Sequence, residues 1–350
     1  MIEPLREEDY GVWDAFVEES SDGTLFHTIA WKRILEETFG YQPYYFILRD
    51  AKGGIAGIFP AFLVRGIHGK VLVSLPFMEY GGPIVRDGYY ASMFESIVNL
   101  FVMLKKEQGV RYLEIKTPPD TQYHDAESFL FAPVVKAYDY SINIGGRDFT
   151  NDFWPKMKAK TRVRHSVVQS CRYGVGVADA DIHSFYALHV SSMARVGSLP
   201  WPQRFFANIR TYYPASRFIG AYIDKKMIGA MLNLPYRARD LAVVLSYDRS
   251  CQAYRASDLL YYHEIRFAFE NRFATVDFGR TRPDSPYEKY KQKWGATKHT
   301  LYSYVYPADM CHLVDPYASY TRFARFTRNN IAWNAFVHTF FGQNAIRYFP

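Results

Sequence analysis

The chain has only three cysteines, Cys171, Cys251 and Cys311, which are far apart, odd in number and without CxxC spacing. That excludes a disulfide framework and a cysteine zinc site, and reads all three as small buried side chains. Long apolar runs are missing, so no stretch reaches the length needed to cross a bilayer. The start, MIEPLREEDYGVW, is acidic and lacks the basic opening and apolar run of a secretory leader, so the expected location is the cytoplasm. No P-loop occurs and no GxSxG elbow. Gly174-Val-Gly176 lacks the third glycine and the preceding strand of a dinucleotide fingerprint. The histidines, His27, His183 and His189 among them, show no HxxxH spacing, and no metal is expected. Phosphotransfer, serine hydrolysis and zinc hydrolysis thus lose their usual markers.

Charge is sparse too. Of 350 residues 22% are charged and 49% hydrophobic, which describes a globular chain with a large core and, at this length, two domains. The net charge of +7 is unevenly placed. Lys156 to Arg172 holds six basic residues and no acid, and Pro316 to the end holds four arginines and no acid. Both stretches can face phosphates of a nucleotide, an RNA or a lipid head group, or be solvated helix faces. With 29 Tyr and 27 Phe, the chain is rich in rings that suit a groove for a polar substrate or the seams of a core.

Periodicity gives an order of elements. A helix is predicted after Thr28, with Trp31, Ile34 and Leu35 on one face and a stop near Gly40. A hairpin follows over Tyr44–Arg49, Asp50–Gly54 and Ile55–Val64, then a strand over Val71–Leu75, the turn Pro76–Pro83, a helix through Phe94, Ile97 and Phe101, and a strand over Arg111–Lys116. The plan then repeats. Phe218–Ile223 and Met227–Pro235 form a hairpin, Leu241–Ser246 a strand, Ser257–Asn271 a helix capped at Ser257, and Ala274–Phe278 a strand. We read a duplicated α+β unit, with domains at 1–146 and 147–310 and a helical aromatic and basic tail at 311–350. Asn151–Tyr173 reads as one basic helix capped at Thr150 or Asn151, with Trp154, Met157, Val168 and Cys171 inward. The tail suits either a clasp across the domains or a peripheral contact with an anionic membrane face.

The stretch from Asp277 to Ala296, DFGRTRPDSPYEKYKQKWGA, organises the rest. A buried strand hands over to a loop holding Arg280 and Arg282, then to a basic aromatic run with Tyr287, Tyr290, Lys291 and Trp294. Strand ends are rigid, so polar groups just past them are placed accurately. Arg280 can hold a phosphate or carboxylate, or pair with Asp284. Glu79 and Tyr80, in the corresponding turn of the first unit, can orient or deprotonate an amine, or simply cap backbone N–H groups. Tyr247, ending its strand, is a candidate for lining the groove.

Four segments resemble one family, the FemABX-like proteins built from two tandem GNAT-type acyltransferase folds. They are Phe26-His-Thr-Ile-Ala-Trp31, Leu75-Pro-Phe-Met-Glu-Tyr-Gly-Gly-Pro83, Lys160-Thr-Arg-Val-Arg164, and Asp277-Phe-Gly-Arg280 followed by Tyr287-Glu-Lys-Tyr-Lys-Gln-Lys-Trp-Gly295. The resemblance runs from about Tyr10 to Tyr306 and is similar in particular to the FemAB-like proteins found with exopolysaccharide and exosortase (PEP-CTERM) gene clusters. It implies transfer of an acyl or aminoacyl group onto a primary amine of a cell-envelope or surface-polysaccharide precursor. The donor it implies is aminoacyl-tRNA or an acyl-CoA or other thioester, with no bound cofactor, at the inner face of the cytoplasmic membrane. The family's aromatic-lysine pair falls on Tyr290 and Lys291. The catalytic candidates are therefore Lys291, Tyr290 and Glu79, and the substrate-binding candidates Tyr80, Arg162, Arg164, Tyr247, Asp277, Arg280, Tyr287 and Trp294.

Two departures narrow this. The segment where GNAT enzymes carry a glycine-rich pyrophosphate loop reads Gln252-Ala-Tyr-Arg-Ala-Ser257, without glycine, and the segment Arg195–Phe206 lacks an arginine followed four residues later by tyrosine. The alternative reading is a non-catalytic binding module for an anionic glycan, a lipid-linked precursor or RNA.

Overall fold

In the computed structural model, residues 2–66, 69–78, 80–160, 162–314, 331–339, 342–343 and 345–348 are described. The chain divides into two units. The first is Met1–Ala137 with Thr300–Thr321 and Ala345–Pro350, and the second is Tyr138–His299 with Arg322–Asn344. This division differs from the expected boundary at 146/147. A strand unrecognised in the sequence, Ala132–Asn143, runs through that region, and its residues from Tyr138 onward are hydrogen-bonded into the second unit.

In the first unit β1 (Ile2–Pro4) precedes α1 (Tyr10–Glu19) and α2 (Ile29–Phe39). The signals at both ends of α2 work as read. Thr28 Oγ accepts the Trp31 N–H at 3.3 Å, and Gly40 takes the left-handed φ of +68° that ends a helix cheaply. β2 (Gln42–Arg49) and β3 (Ile55–Gly66) form the expected hairpin, its turn held by Asp50 Oδ1 on the N–H groups of Lys52 and Gly54. β4 (Gly69–Val73), β5 (Ile84–Val85), α3 (Tyr90–Gln108), β6 (Leu113–Lys116) and α4 (His124–Ser128) complete it. The sheet order is β1, β2, β3, β4, β6, with β4 and β6 parallel. α3 lays Phe94, Ile97, Phe101 and Leu104 on the sheet's Phe59, Leu72 and Leu113.

Beyond the β4–β6 ladder the seam stays closed. The Ser74 N–H donates to the Glu114 carbonyl at 2.9 Å, Ser74 Oγ accepts the Lys116 N–H at 2.9 Å, and Lys116 Nζ reaches the Leu75 carbonyl at 3.3 Å. Gly82, at φ +101°, lies so near that a Cβ would sit 2.6 Å from the Lys116 carbonyl oxygen and 2.9 Å from the Tyr123 hydroxyl. The close approach that Gly82 allows is therefore made within the unit itself.

The second unit holds β7 (Ala132–Asn143) from Tyr138 onward, then α5 (Trp154–Lys160), α6 (Val163–Arg172), β8 (Gly176–Asp179), α7 (Ile182–Val196), α8 (Gln203–Tyr212), β9 (Arg217–Ile223), β10 (Lys226–Tyr236), β11 (Arg239–Tyr247), α9 (Ala256–Glu270), β12 (Thr275–Thr281) and α10 (Pro286–Lys293). The sheet order is β7, β12, β11, β10, β9, β8. β13 (Thr297–Tyr306), α11 (Cys311–Val314) and α12 (Ile331–Val337) follow, and residues 303–306 of β13 pair with β6. As in the first unit, a hairpin is followed by a strand, a helix and a parallel strand, here β11, α9 and β12. The expected α+β duplication is present as two GNAT-like folds.

Three local expectations are corrected. The basic segment is not one helix: a π-helical turn, Phe149–Phe153, capped by Asp148 Oδ1 on the Asn151 N–H, leads into α5, and a break separates α5 from α6. The break resets the helical phase, so Val163, Val167 and Ser170 point inward while Val168 and Cys171 are exposed. The cysteines are not buried, since Cys251 and Cys311 are only half-covered. α9 begins one residue early, at Ala256, after Arg255 in the left-handed region at φ +57°.

Residues 315–330 of the tail lie outside the described residues. α12 buries Trp333 and Val337 and packs on α7, and Arg347 donates to the Phe39 carbonyl at the end of α2. Among the described residues no helix is long and apolar enough to cross a membrane.

Candidate functional site

β11 and β12 are paired over three positions only, Arg239 with Thr275, Asp240 with Val276 and Leu241 with Asp277. β11 then continues to Tyr247 and β12 to Thr281 without further pairing between them among the described residues, so the parallel seam opens. A second irregularity lies on the other side of β12. Its register on β7 shifts between Asp277 and Arg280, and Gly279 adopts φ +68°. This is a bulge that only glycine enters without strain.

Three charged side chains hold the bulge. Asp277, fully buried, accepts the Gly279 N–H on Oδ1 at 2.7 Å and the Arg239 guanidinium on Oδ2 at 2.7 Å. Lys291 donates from Nζ to the carbonyls of Gly279 at 2.6 Å and Arg280 at 3.2 Å, with its ammonium 5.8 Å from the Tyr140 ring centre. Sequence places Lys291 there. Ser285 caps α10 by accepting the Tyr287 N–H, Pro286 takes the first turn where no N–H is needed, and the short helix turns Lys291 inward and Lys289 and Lys293 outward. Lys291 is 6% exposed. It is a buried cation spanning two carbonyls.

Tyr290 and Trp294 fix this helix. The Tyr290 hydroxyl donates to Asp258 Oδ1 in the first turn of α9 at 2.8 Å, and Trp294 is wholly buried 6.1 Å from the Tyr261 ring. Burial pushes the Tyr290 phenol well above its ordinary value, so it stays a hydrogen-bond donor.

A second group forms where β11 ends. The Arg195 guanidinium, from the last turn of α7, lies 4.6 Å from the Tyr247 ring centre and 3.4 Å from Ser192 Oγ. Its Nε is buried with no hydrogen-bond partner. Tyr287, half exposed, is their neighbour: burial raises its pKa first, Tyr247 adds to the rise, and the Arg195 charge opposes it. The sequence offers no tyrosine four residues after Arg195; its aromatic neighbours come instead from β11 and α10, far along the chain.

The other expected residues lie apart from these groups or outside the description. Arg162 is exposed at the start of α6, and Arg164 stacks 5.8 Å from the Trp154 ring centre. Arg280 is exposed and contributes its carbonyl to Lys291. Tyr80 belongs to the first unit and is buried 5.4 Å from the Phe26 ring. Glu79 lies outside the described residues. Among the described residues no cluster of His, Cys, Asp and Glu could hold a metal ion.

Asp139 on β7 stands opposite Arg280, fully buried, with no hydrogen-bond donor on either oxygen and the Arg239 guanidinium 4.0 Å away. Burial, and then the Asp277 charge, push its carboxyl well above the ordinary 3.8, against the pull of Arg239 and Lys291. In the unfolded chain the group ionises near its ordinary value. Its stabilising contribution is therefore full below about pH 4 and is lost as pH rises toward the folded value. Asp139→Asn keeps the neutral shape and removes that loss. We expect the Tm difference, variant minus wild type, to grow from pH 5 to pH 8 in thermal unfolding; a constant or shrinking difference would contradict the assignment.

Comparisons with known proteins agree with this architecture. Residues 156–292 match the Acetyltransferase (GNAT) domain family. No curated protein matches by sequence. Among solved structures, FemX superposes with a TM-score of 0.64 at 14% identity, over 90% of this chain and 100% of that one. The tandem GNAT protein from the clavulanic acid biosynthesis pathway gives 0.58 at 11%, over 87% and 97%. The C-terminal domain of a protein from Agrobacterium fabrum described as a lysylphosphatidylglycerol synthetase gives 0.54 at 10%, over 88% and 95%. At these identities the likeness is one of fold.

Proposed function

We propose that the chain is an acyltransferase that moves an acyl or aminoacyl group onto a primary amine, with its chemistry in the second unit. The observation that carries this reading is the opened β11–β12 seam with a buried lysine at the bulge beside it. The acceptor nitrogen attacks the donor carbonyl carbon, the C–N bond forms as the C–S or C–O bond to the donor breaks, and the leaving sulfur or oxygen takes up a proton. Negative charge gathers on the carbonyl oxygen in between. A fixed ammonium in a water-poor setting stabilises that charge more than it stabilises the ground state. We assign this role to Lys291, with Tyr290 and Trp294 holding its helix.

Proteins of the GNAT fold use acyl-CoA as co-substrate. Here the first turn of α9, where N–H groups would meet a pyrophosphate, carries Asp258 and follows Arg255 in place of a glycine. That carboxylate disfavours a phosphate in the usual place and supports aminoacyl-tRNA as donor, its phosphates facing Arg162 and Arg164. FemX and the synthetase-like domain, similar in fold, support an acceptor belonging to the cell envelope, as in exopolysaccharide or cell-wall biogenesis, met at the inner face of the membrane with the tail against it. A screen of aminoacyl-tRNAs and acyl-CoA thioesters against mixed amine acceptors, read by mass spectrometry, should show transfer from at least one donor. No transfer from any donor would overturn the proposal in favour of a binding module.

Arg195, Tyr247 and Tyr287 form the rim we assign to an anionic group on the acceptor. Arg195→Ala should raise the acceptor KM by roughly ten- to a hundredfold, the equivalent of a charged hydrogen bond worth about 1.5–3 kcal/mol, and leave kcat nearly unchanged. An unaltered KM in steady-state kinetics would remove Arg195 from the site.

A further inference from the structure

A single line of contacts crosses three elements of the second unit. Arg239 at the start of β11 donates to Asp277 of β12 at 2.7 Å, Asp277 accepts the Gly279 N–H at 2.7 Å, and the Gly279 carbonyl accepts Lys291 Nζ from α10 at 2.6 Å. We propose that Asp277 and Arg239 are positioning residues that set the Lys291 ammonium by shaping the Gly279–Arg280 bulge. The inference rests on the role given to Lys291 above.

The geometry supports this in three ways. A lysine donating to two successive carbonyls needs both oxygens on one side, and the peptide arrangement that achieves this passes through the left-handed φ of Gly279. Asp277 closes the turn from below by taking the Gly279 N–H, so the two polar groups of one residue are claimed from opposite ends. Asp277 is fully buried, and a buried carboxylate persists there only with a partner, which Arg239 supplies from the neighbouring strand. Asp139 lies behind it, 4.0 Å from the same guanidinium, which sits closer to Asp277 at 2.7 Å. Arg239 itself is 39% exposed, so the line begins at the surface and ends on a buried ammonium.

The test reads Lys291 directly and needs no substrate. Wild type, Asp277→Asn, Asp277→Ala and Arg239→Gln are acetylated with N-hydroxysuccinimidyl acetate, and each lysine's rate is followed by peptide mass spectrometry. Lys289 and Lys293, exposed on the same helix, are internal controls. We expect Lys291 to be labelled at least tenfold faster in Asp277→Ala and Arg239→Gln, and less so in Asp277→Asn, whose amide oxygen still accepts the Gly279 N–H. The control lysines should be unchanged. Equal Lys291 protection in folded Asp277→Ala or Arg239→Gln would overturn the proposal, and so would a parallel rise at all three lysines, which marks general loosening. Should Asp277→Ala fail to fold, Arg239→Gln decides. With the donor and acceptor found in the transfer screen, Asp277→Asn should lower kcat about tenfold at constant donor KM. A screen without transfer defeats the acyltransferase reading while the labelling result still stands or falls alone.

Discussion

Lys291→Met is expected to slow acyl transfer by about a hundredfold or more while the donor still binds. The side chain keeps its length and apolar stem, so α10 stays docked, but the charge is gone. Loss of a group of this kind from a water-poor site costs on the order of 3 kcal/mol in the transition state. The same substitution removes the ammonium from the Gly279 and Arg280 carbonyls. Loss of hydrogen bonds to a charged group costs about 1.5–3 kcal/mol of stability, and in a unit of ~150–250 residues each kcal/mol is roughly 2–4 °C in Tm. Two measurements therefore separate the roles. A fall in Tm with turnover retained would make Lys291 a structural tie alone, whereas a fall in kcat larger than any loss of folded protein supports the catalytic assignment.

Trp294→Ala should carry the largest cost in stability, about 3–5 kcal/mol, the range for removing a large ring from a well-packed core. Trp294 is 0% exposed and lies in the same apolar cluster as Tyr261, Ile265 and Phe278. It also anchors the helix that delivers Lys291 to the bulge, so activity should fall before the unit unfolds. Near-UV circular dichroism against temperature would check the first effect, and transfer assays well below the transition the second. A variant with wild-type Tm would mean that the cavity refills and that α10 is held chiefly by Tyr290 and Asp258.

Much of the fold was legible because its signals are local. Thr28 and Gly40 bound their helix through contacts within a few residues, and the Asp50 turn is closed by its own carboxylate. The repeat of hairpin, strand, helix and strand could be read for the same reason. β7, β13, α7 and α8 were not recognised; the partners of β7 and β13 lie far along the chain, as in Ser303 against Lys116 and Thr275 against Asn143. The basic segment misled because helical periodicity carries no mark of a phase break: Trp154 and Met157 pack on the core as expected, but past the gap before α6 the inward positions shift from Val168 and Cys171 to Val167 and Ser170. At the site, the run from Tyr287 to Trp294 was visible as residue types. Its meaning was not, since whether Lys291 faces solvent or two carbonyls depends on a bulge made by Asp277, Gly279 and Arg239. Asp139 gave no signal, because a buried carboxylate looks like any other in sequence, and Arg195 stood in a segment without the tyrosine four residues on, its ring partner coming from another element.

Ser74 gives the closed seam of the first unit a consequence for counting. The two folds arise from one plan, yet in the first the strands past the ladder are sewn together by a serine and backed by Gly82, and in the second the equivalent strands part. On the proposed reading, symmetry of architecture is broken into a stoichiometry: two folds, but a berth for one donor. The first copy would then be free to change wherever its seam survives, and the chemistry of the pair would be left to vary in the second copy alone.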